Sequence, residues 1–196
     1  MTHVNHKPSL FKGLRLYCLL LLACMPLHSA TVIAQTAEYK LKAALIYKLT
    51  KFVEWPLTES DAKERSFGIC LLGRDDFGTA LDALAEREVQ GRRINIRRFA
   101  QSEAVEVENC QLLFISESKL AFMQSILDSF RRQPVLTISD AKQFADKGGM
   151  IQFSSGDKRI GFMINLERAV DSGLIIAAPL LELATIVDSQ HQGDRR

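Results

Sequence analysis

The chain has 196 residues, about the length of one domain, and 47% of them are hydrophobic, so a sizeable core can be buried. The chain has 25 Lys and Arg residues and 23 Asp and Glu residues. Three of the basic residues and none of the acidic residues precede position 35. The rest of the chain therefore carries 22 basic and 23 acidic residues, which gives a net charge of −1. Nothing in this charge argues for nucleic acid or an anionic membrane as the partner.

Residues 1–34 have the layout of a secretory signal peptide. A basic start is followed by the apolar run 16–25, then by Pro26 and several small residues. We expect cleavage at the end of this segment and export of the rest. Two alternatives stay open. An uncleaved membrane anchor is disfavoured by Pro26 and the polar residues after it, and a lipoprotein would follow if the lipobox-like stretch that ends in Cys24 is used.

The remaining elements follow in order, beginning with a helix that we expect to start near Thr36 and to end before Trp55 and Pro56. Its predicted apolar stripe consists of Leu41, Leu45, Leu49 and Phe52, widened by Ile46 and Val53. The later elements are strand 67–72, helix 76–86, strand 94–99, strand 112–116, helix 120–130, strand 135–139, a short helix capped by Asp140, hairpin strands 150–154 and 159–165, and helices 166–172 and 179–187.

This alternation predicts an α/β fold. We expect three layers, α/β/α, around a mostly parallel sheet of about six strands with a C-terminal antiparallel hairpin. No repeat or linker interrupts the pattern, so residues 35–190 are predicted to form a single domain. Residues 191–196 are predicted to form a polar tail.

Cysteine usage agrees with export. Two of the four cysteines fall in the predicted signal peptide, which leaves Cys70 and Cys110 as an even pair in an oxidising compartment. Each lies in an apolar run that is typical of a buried parallel strand. If the two strands are neighbours, the sulfurs can form a disulfide. Two buried free thiols are the alternative.

The placement of histidine argues against an enzyme. All four histidines, at positions 3, 6, 28 and 191, lie in the predicted signal peptide or tail. Ser-His and Cys-His catalysis and histidine-rich metal sites are therefore excluded from the domain, and we expect no cofactor. A hydrolase that uses Asp75 and Asp76 is a remaining hypothesis, but the sequence shows no cleft or partner for these carboxylates.

Polar residues follow three of the predicted strands, at the edge where ligands gather in open α/β sheets. They are Gly73, Arg74 and Asp75 after the first strand, Ser116 after another, and Ser139 and Asp140 after a third. A small-solute-binding module near Gly73, Ser116 and Ser139 is therefore an alternative function. Ordinary caps and turns are the simpler explanation. Segment 73–79 imitates a phosphate loop but lacks its lysine, so nucleotide binding is not expected.

Glu54, Trp55 and Pro56, at the end of the first helix, form a second candidate site for a partner. Trp55 is the only tryptophan. It is either a core residue or an exposed anchor of the kind that dominates protein interfaces. The basic run 92–98 could also meet an acidic partner, although such runs more often protect an edge strand from aggregation.

Together these landmarks resemble the YfiR-like family of periplasmic proteins. The matching pieces are Glu38-Tyr39 with 42–44, then 51–56, 69–73, 110–115, 135–140, Phe144-Ala145 with 148–151, Ile164-Asn165, Ala169 with Gly173-Leu174, Leu180-Leu181 and Leu183-Ala184. The resemblance covers essentially the whole chain after the predicted cleavage site.

The resemblance implies a non-enzymatic periplasmic repressor that binds the periplasmic sensor domain of an inner-membrane diguanylate cyclase and so controls cyclic-di-GMP signalling. It further implies a homodimer, sequestration by an OmpA-like outer-membrane lipoprotein, and redox sensitivity through disulfides. Cys70 and Cys110 match one bridge of the family's characterised member. A second bridge would need two further cysteines late in the domain, which this sequence does not have.

Overall fold

The computed structural model describes residues 29–56, 66–102, 105–106, 109–155 and 160–187. Most of the predicted signal peptide, including Cys24, lies outside these residues, as do the tail and all four histidines. By their contacts, residues 1–38 and 39–196 form separate units. The described part of the first unit is helical, and the packing reported below concerns the second. No helix in the described ranges is long and apolar enough to cross a membrane.

The described residues form α-helices, short 3-10 helices and strands. The α-helices are α1 (Ser29–Leu49), α2 (Thr79–Asp82), α3 (Met123–Ser129), α4 (Leu166–Asp171) and α5 (Ala178–Leu181), and the 3-10 helices are Ala83–Glu86 and Glu117–Phe122. The strands are β1 (Val53–Glu54), β2 (Ser66–Leu72), β3 (Glu88–Val89), β4 (Arg92–Phe99), β5 (Leu112–Ile115), β6 (Leu136–Ser139), β7 (Ile151–Ser155), β8 (Ile160–Ile164), β9 (Ile175–Ile176) and β10 (Thr185–Ile186).

Eight of these strands form one sheet in the order β10-β8-β7-β6-β5-β2-β4-β3. From β4 to β7 all neighbours are parallel, whereas β7 and β8 form an antiparallel hairpin. The predicted α/β fold, with its mostly parallel sheet and C-terminal hairpin, is confirmed. Six strands match the predicted number, and the short strands β3 and β10 extend the sheet at its two edges.

The two faces of the sheet carry separate parts of the core, because successive residues of a strand point to opposite sides. The first face joins Ala43 and Ile46 of α1 and Leu81 of α2 to Phe67, Ile69 and Leu71 of β2. The second face joins Met123, Ile126 and Leu127 of α3 to Cys70, Leu72, Leu113 and Ile115. Helices therefore cover both faces, as the three-layer prediction requires.

A disulfide joins Cys70 on β2 to Cys110 just before β5, with their Cα atoms 5.8 Å apart. Both cysteines are buried, and β2 and β5 are parallel neighbours. The predicted bridge between adjacent inner strands is confirmed. Gly68 makes the close approach possible, because a Cβ there would overlap the carbonyl group of Asn109.

The predicted apolar stripe of α1 is wrong at its two ends. Leu41 is 48% exposed and Phe52 is 38% exposed, whereas Lys42 is buried. The inward face of α1 carries Ala43, Ile46 and Leu49, and Lys42 lies on it with its ammonium paired to the Asp140 carboxylate at 2.7 Å. A partner 98 positions away therefore lets a lysine lie on the buried face of α1.

Three later predictions are also wrong. No helix follows Asp140: residues 141–148 form turns, and the Ala141 N–H donates to the Ser139 hydroxyl at 3.0 Å. The first turn of the predicted helix 120–130 is a 3-10 helix in which Leu120 is 46% exposed, and the α-helix begins at Met123. The predicted helix 179–187 shrinks to the single turn of α5, and Thr185–Ile186 pairs with β8 instead.

Candidate functional site

The polar residues that follow β2, β5 and β6 lie together at the carboxyl edge of the central strands. The Ser116 N–H donates to the Leu72 carbonyl at 2.9 Å. The Ser139 hydroxyl donates to the Ile115 carbonyl at 2.6 Å. Each strand end is therefore bonded to the next, which brings the predicted residues of all three strands to one edge.

The two serine hydroxyls at this edge are already occupied by protein atoms. Ser116 and Ser139 are only 2% and 0% exposed. The Ser116 Oγ is 3.1 Å from the Ser118 Oγ and accepts the Ser118 N–H at 3.3 Å. Ser139 both donates to one backbone group and accepts from another. These hydroxyls organise the turns after their strands, which is the capping role that the sequence also allowed.

Gly73 ends β2 in a conformation that favours glycine. Its φ is +102°, and a Cβ there would lie 2.6 Å from the Ser118 hydroxyl oxygen. Its N–H donates to the Phe99 carbonyl at 2.9 Å. The next N–H, that of Arg74, donates to the Ser118 hydroxyl at 2.9 Å. The turn is therefore packed directly against the start of the 3-10 helix 117–122.

Asp75 caps the turn that leads into α2. One carboxylate oxygen accepts the N–H groups of Phe77 and Gly78 at 2.8 and 3.1 Å. The other pairs with the Arg98 guanidinium at 2.6 Å. Partial burial lowers the pKa of Arg98, but hydrogen bonds to Asp75 and Asp82 outweigh it, so the pKa lies above its ordinary value. With both oxygens engaged, Asp75 has a structural role here.

The arginine beside this turn points to solvent. The Arg74 side chain is 67% exposed, and its Nε is 3.1 Å from an Asp76 oxygen. An ion pair at this exposure contributes little to stability.

A cluster of Tyr39, Lys42 and Asp140 was not recognised from the sequence. One Asp140 oxygen accepts the Tyr39 hydroxyl at 2.8 Å and the Lys42 ammonium at 2.7 Å. The other Asp140 oxygen is buried and has no hydrogen-bond partner among the described residues. The available signal was Lys42 itself, which lies four residues before buried Ile46 and therefore on the same helical face. The cluster attaches α1 to the end of β6.

Trp55 lies in the core, where it is 9% exposed. Its indole N–H donates to the Gln111 carbonyl at 2.9 Å. Its ring meets Phe67 edge to face, with the ring centroids 5.0 Å apart. Trp55 therefore fixes the segment after α1 onto β2 and the start of β5, and the exposed parts of this candidate site are Glu54 and Pro56.

The segment around Trp55 forms a small antiparallel ribbon with β9. Val53 pairs with Ile176 and Glu54 pairs with Ile175. The first pair is buried, whereas Glu54 is exposed and Ile175 is 62% exposed. We call the outward side of this ribbon, formed by Phe52, Glu54, Pro56 and Ile175, the ribbon face.

A groove opens beside the carboxyl ends of β4 and β5. Its volume is about 470 Å³, and it is lined by Gln101, Ser102, Lys119, Phe122 and Ile126. None of these residues was a candidate from the sequence, because a cavity between a loop and two helices leaves no local pattern. Among the residues the structure describes, no group of three or more His, Cys, Asp or Glu side chains could hold a metal ion.

A family model described as DUF4154, YfiR/HmsC-like, matches residues 39–185. The match covers well over half of the 196 residues and runs from α1 to β10. It therefore includes the ribbon face, the groove and the carboxyl edge of the central strands. We call that edge, formed by Gly73, Arg74, Asp75, Ser116, Ser139 and Asp140, the strand-end edge.

Proposed function

The chain belongs to the YfiR/HmsC-like family, and from that premise we propose that it is a non-enzymatic periplasmic repressor of an inner-membrane diguanylate cyclase. The family suggests a periplasmic regulator of diguanylate cyclase signalling and is regulatory rather than catalytic. The chain binds the periplasmic sensor domain of the cyclase in one of its conformations. Binding shifts the cyclase population toward an inactive state and lowers cyclic-di-GMP.

The ribbon face is the observation that carries this proposal. Ile175 and Phe52 expose 62% and 38% of their surface, although the neighbouring apolar side chains Val53, Trp55 and Ile176 of the same ribbon are buried. Neighbouring exposed apolar side chains, rimmed by polar groups, are typical of protein interaction sites. The surface also contains two of the three residues that the sequence singled out for a partner, Glu54 and Pro56.

The ribbon face is held rigidly by the residues that alternate with it. Val53 and Trp55 point into the core, at 2% and 9% exposure, while their neighbours Phe52, Glu54 and Pro56 lie on the surface. The ribbon pairing and the Trp55 hydrogen bond fix the backbone between them. A surface that is already ordered loses less conformational entropy on binding, which favours a stable complex.

Charge indicates what the partner presents. The Glu54 carboxylate is exposed, and it has no ion pair or hydrogen bond with another described residue. The matching surface on the sensor domain is expected to have an apolar centre opposite Ile175 and Phe52, with a Lys or Arg opposite Glu54.

The proposal is tested by affinity capture from solubilised membranes with three forms of the protein. They are the wild type, Ile175→Glu, and Leu183→Glu as a matched control, since Leu183 is an apolar side chain that is 76% exposed outside the ribbon face. We expect the wild type and the control to recover a membrane protein with a periplasmic sensor domain and a cyclase domain. Ile175→Glu is expected to lose it and to raise cellular cyclic-di-GMP as deletion of the gene does.

Two outcomes contradict the proposal at different levels. If the wild type captures no sensor protein and deletion leaves cyclic-di-GMP unchanged, the chain does not repress a cyclase. If the wild type captures the cyclase but both variants capture it equally well, the repressor function stands and the ribbon face is not the contact.

The same premise leads us to propose two further associations, a homodimer and an OmpA-like lipoprotein that sequesters the repressor. Sedimentation equilibrium of the oxidised protein tests the first, and capture from outer-membrane extracts tests the second. We also propose that residues 1–34 are removed on export. The mass of the mature protein distinguishes cleavage after Ala34 from a lipid on Cys24.

A further inference from the structure

The groove between segment 101–102 and the helices after β5 has the size of a small-molecule site. Its volume of about 470 Å³ lies in the range of known ligand pockets, roughly 300–1,000 Å³. Ile126 on α3 is only 3% exposed and forms the apolar wall, while Phe122 at the end of the 3-10 helix is 63% exposed at the rim. An exposed aromatic ring beside a buried apolar wall offers a surface for an apolar group.

Lys119 is the only charged residue that lines this groove among the described residues. Its side-chain stem lies over Gly73, because a Cβ on Gly73 would come within 3.0 Å of the Lys119 Cγ. The absence of a side chain at Gly73 therefore leaves room for the lysine stem beside the groove. Its ammonium has no ion pair or hydrogen bond with any other described residue, and the described residues of the lining include no acidic side chain.

Among the described residues, the lining combines an apolar wall with one cation that has no acidic partner, and this combination indicates the chemistry of the ligand. A neutral apolar molecule would leave the ammonium without a counter-charge, and a cationic one would be repelled by it. A monoanionic molecule with an apolar tail satisfies both parts of the groove. The Ser102 hydroxyl and the Gln101 amide add neutral hydrogen-bonding groups to the same lining.

We propose that this groove binds a small amphiphilic carboxylate. The tail lies between Phe122 and Ile126, and the carboxylate pairs with the Lys119 ammonium. This inference is independent of the ribbon face and of repression, and it assigns a ligand class to a site beside the strand ends rather than at their serine hydroxyls.

The experiment compares three ligands that share one tail and differ in head group, namely decanoate, decan-1-ol and decyltrimethylammonium, all below their micelle concentrations. They are titrated into the mature protein with its disulfide intact, and binding is followed by calorimetry and by NMR shifts of the Ile126 methyl groups. We expect decanoate to bind saturably, with decan-1-ol about five- to tenfold weaker because it lacks the charge-assisted hydrogen bond. Decyltrimethylammonium is expected to bind more weakly than either.

Two variants and one control assign the effect to the groove. Lys119→Gln should reduce decanoate affinity to that of decan-1-ol, and Phe122→Ala should weaken both ligands. Lys142→Gln, at an exposed lysine outside the groove, should change neither. The proposal is overturned if no ligand shifts the Ile126 resonances saturably, if decanoate and decan-1-ol bind equally, or if Lys119→Gln leaves decanoate binding unchanged. A peptide-binding or vacant groove would give the first of these results.

Discussion

The strand-end edge and the ribbon face use their residues in opposite ways. At the strand-end edge, polar groups that looked available in the sequence are buried and bonded to one another, as Ser116 and Ser139 show. On the ribbon face, an apolar side chain that could have joined the core remains 62% exposed at Ile175. The buried polar groups of the strand-end edge stabilise the fold, whereas the exposed apolar side chain on the ribbon face lowers solubility without a matching gain in core packing.

This difference indicates where recognition by other proteins is to be sought. A polar residue at the end of a parallel strand is a weak sign of a binding site, since the sheet itself needs caps there. A group of neighbouring apolar side chains that a rigid backbone holds in solvent is a stronger sign, because such patches, unlike single exposed apolar residues, are typical of interaction sites. Substitutions at the strand-end edge should therefore reduce stability, whereas substitutions on the ribbon face should reduce binding to the partner with little change in stability.

The largest effect on stability is expected at Asp140, which follows the last of the three strand ends. Asp140→Ala leaves the Lys42 ammonium, 3% exposed, without its carboxylate. Removing one partner of a buried ion pair costs about 3–5 kcal/mol, and urea unfolding followed by circular dichroism should show a loss of that size. The double variant Lys42→Met with Asp140→Leu should recover most of it. A loss below about 1 kcal/mol in the single variant would show that the pair is solvated.

A smaller loss is expected at Ser139. Ser139→Ala removes a fully buried hydroxyl and leaves the Ile115 carbonyl and the Ala141 N–H without that partner. The free energy of unfolding should fall by about 1–3 kcal/mol. Ser125→Ala is the matched control, because its hydroxyl donates to the Phe122 carbonyl in an exposed position. Equal losses in the two variants would contradict a special role for the buried serine.

A still smaller, salt-dependent loss is expected at Asp75. Asp75→Asn keeps an oxygen that can cap the turn but removes the charge paired with Arg98, where the two side chains are 25% and 36% exposed. Partly exposed pairs contribute about 0.5–1 kcal/mol, so the unfolding midpoint should shift slightly in dilute buffer. At about 1 M salt the charges are screened and wild type and variant should converge. A salt-independent loss would assign the effect to the cap.

The smallest effect on stability is expected on the ribbon face. Ile175→Ser should change the free energy of unfolding by no more than about 0.5 kcal/mol, because the side chain is already in solvent. Binding to the captured sensor protein should nevertheless weaken at least about tenfold, as for a central interface residue. Surface plasmon resonance of wild type and variant, with Leu183→Ser as the comparison, measures this. A destabilised Ile175→Ser protein would remove the contrast between the two regions.

The features that the sequence predicted correctly depend on local information. The apolar runs around Cys70 and Cys110 predict buried strands whatever surrounds them, and an even number of exported cysteines predicts the bridge. The hairpin β7–β8 is likewise a contact between neighbours in the chain. For these elements the residues that pack together are close in sequence or are marked by their chemistry.

The features that the sequence missed depend on distant partners. Lys42 was not among the residues of the predicted stripe, and it is buried with its ammonium against the Asp140 carboxylate and the Tyr39 ring. Thr185–Ile186 continues a helical pattern, yet pairing with β8 makes it a strand. On the ribbon, the pairing of β1 with β9 decides that Phe52 is exposed while Val53 is buried. The hydrophobic periodicity of a segment indicates which of its residues can be buried, whereas strand pairing and ion pairing with distant segments determine which of them are buried.

The position of Trp55 gives the protein a fluorophore of its own. The indole is the only one in 196 residues and sits between the first helix and the central strands, with its N–H on the Gln111 carbonyl. Its emission therefore arises from one site, directly beneath the surface residues Glu54 and Pro56. If water reaches the indole, the fluorescence emission shifts to longer wavelength. A partner that binds over Glu54 and Pro56 changes the emission as well. Local unfolding around Trp55 and complex formation can therefore both be followed by fluorescence of the unlabelled wild type.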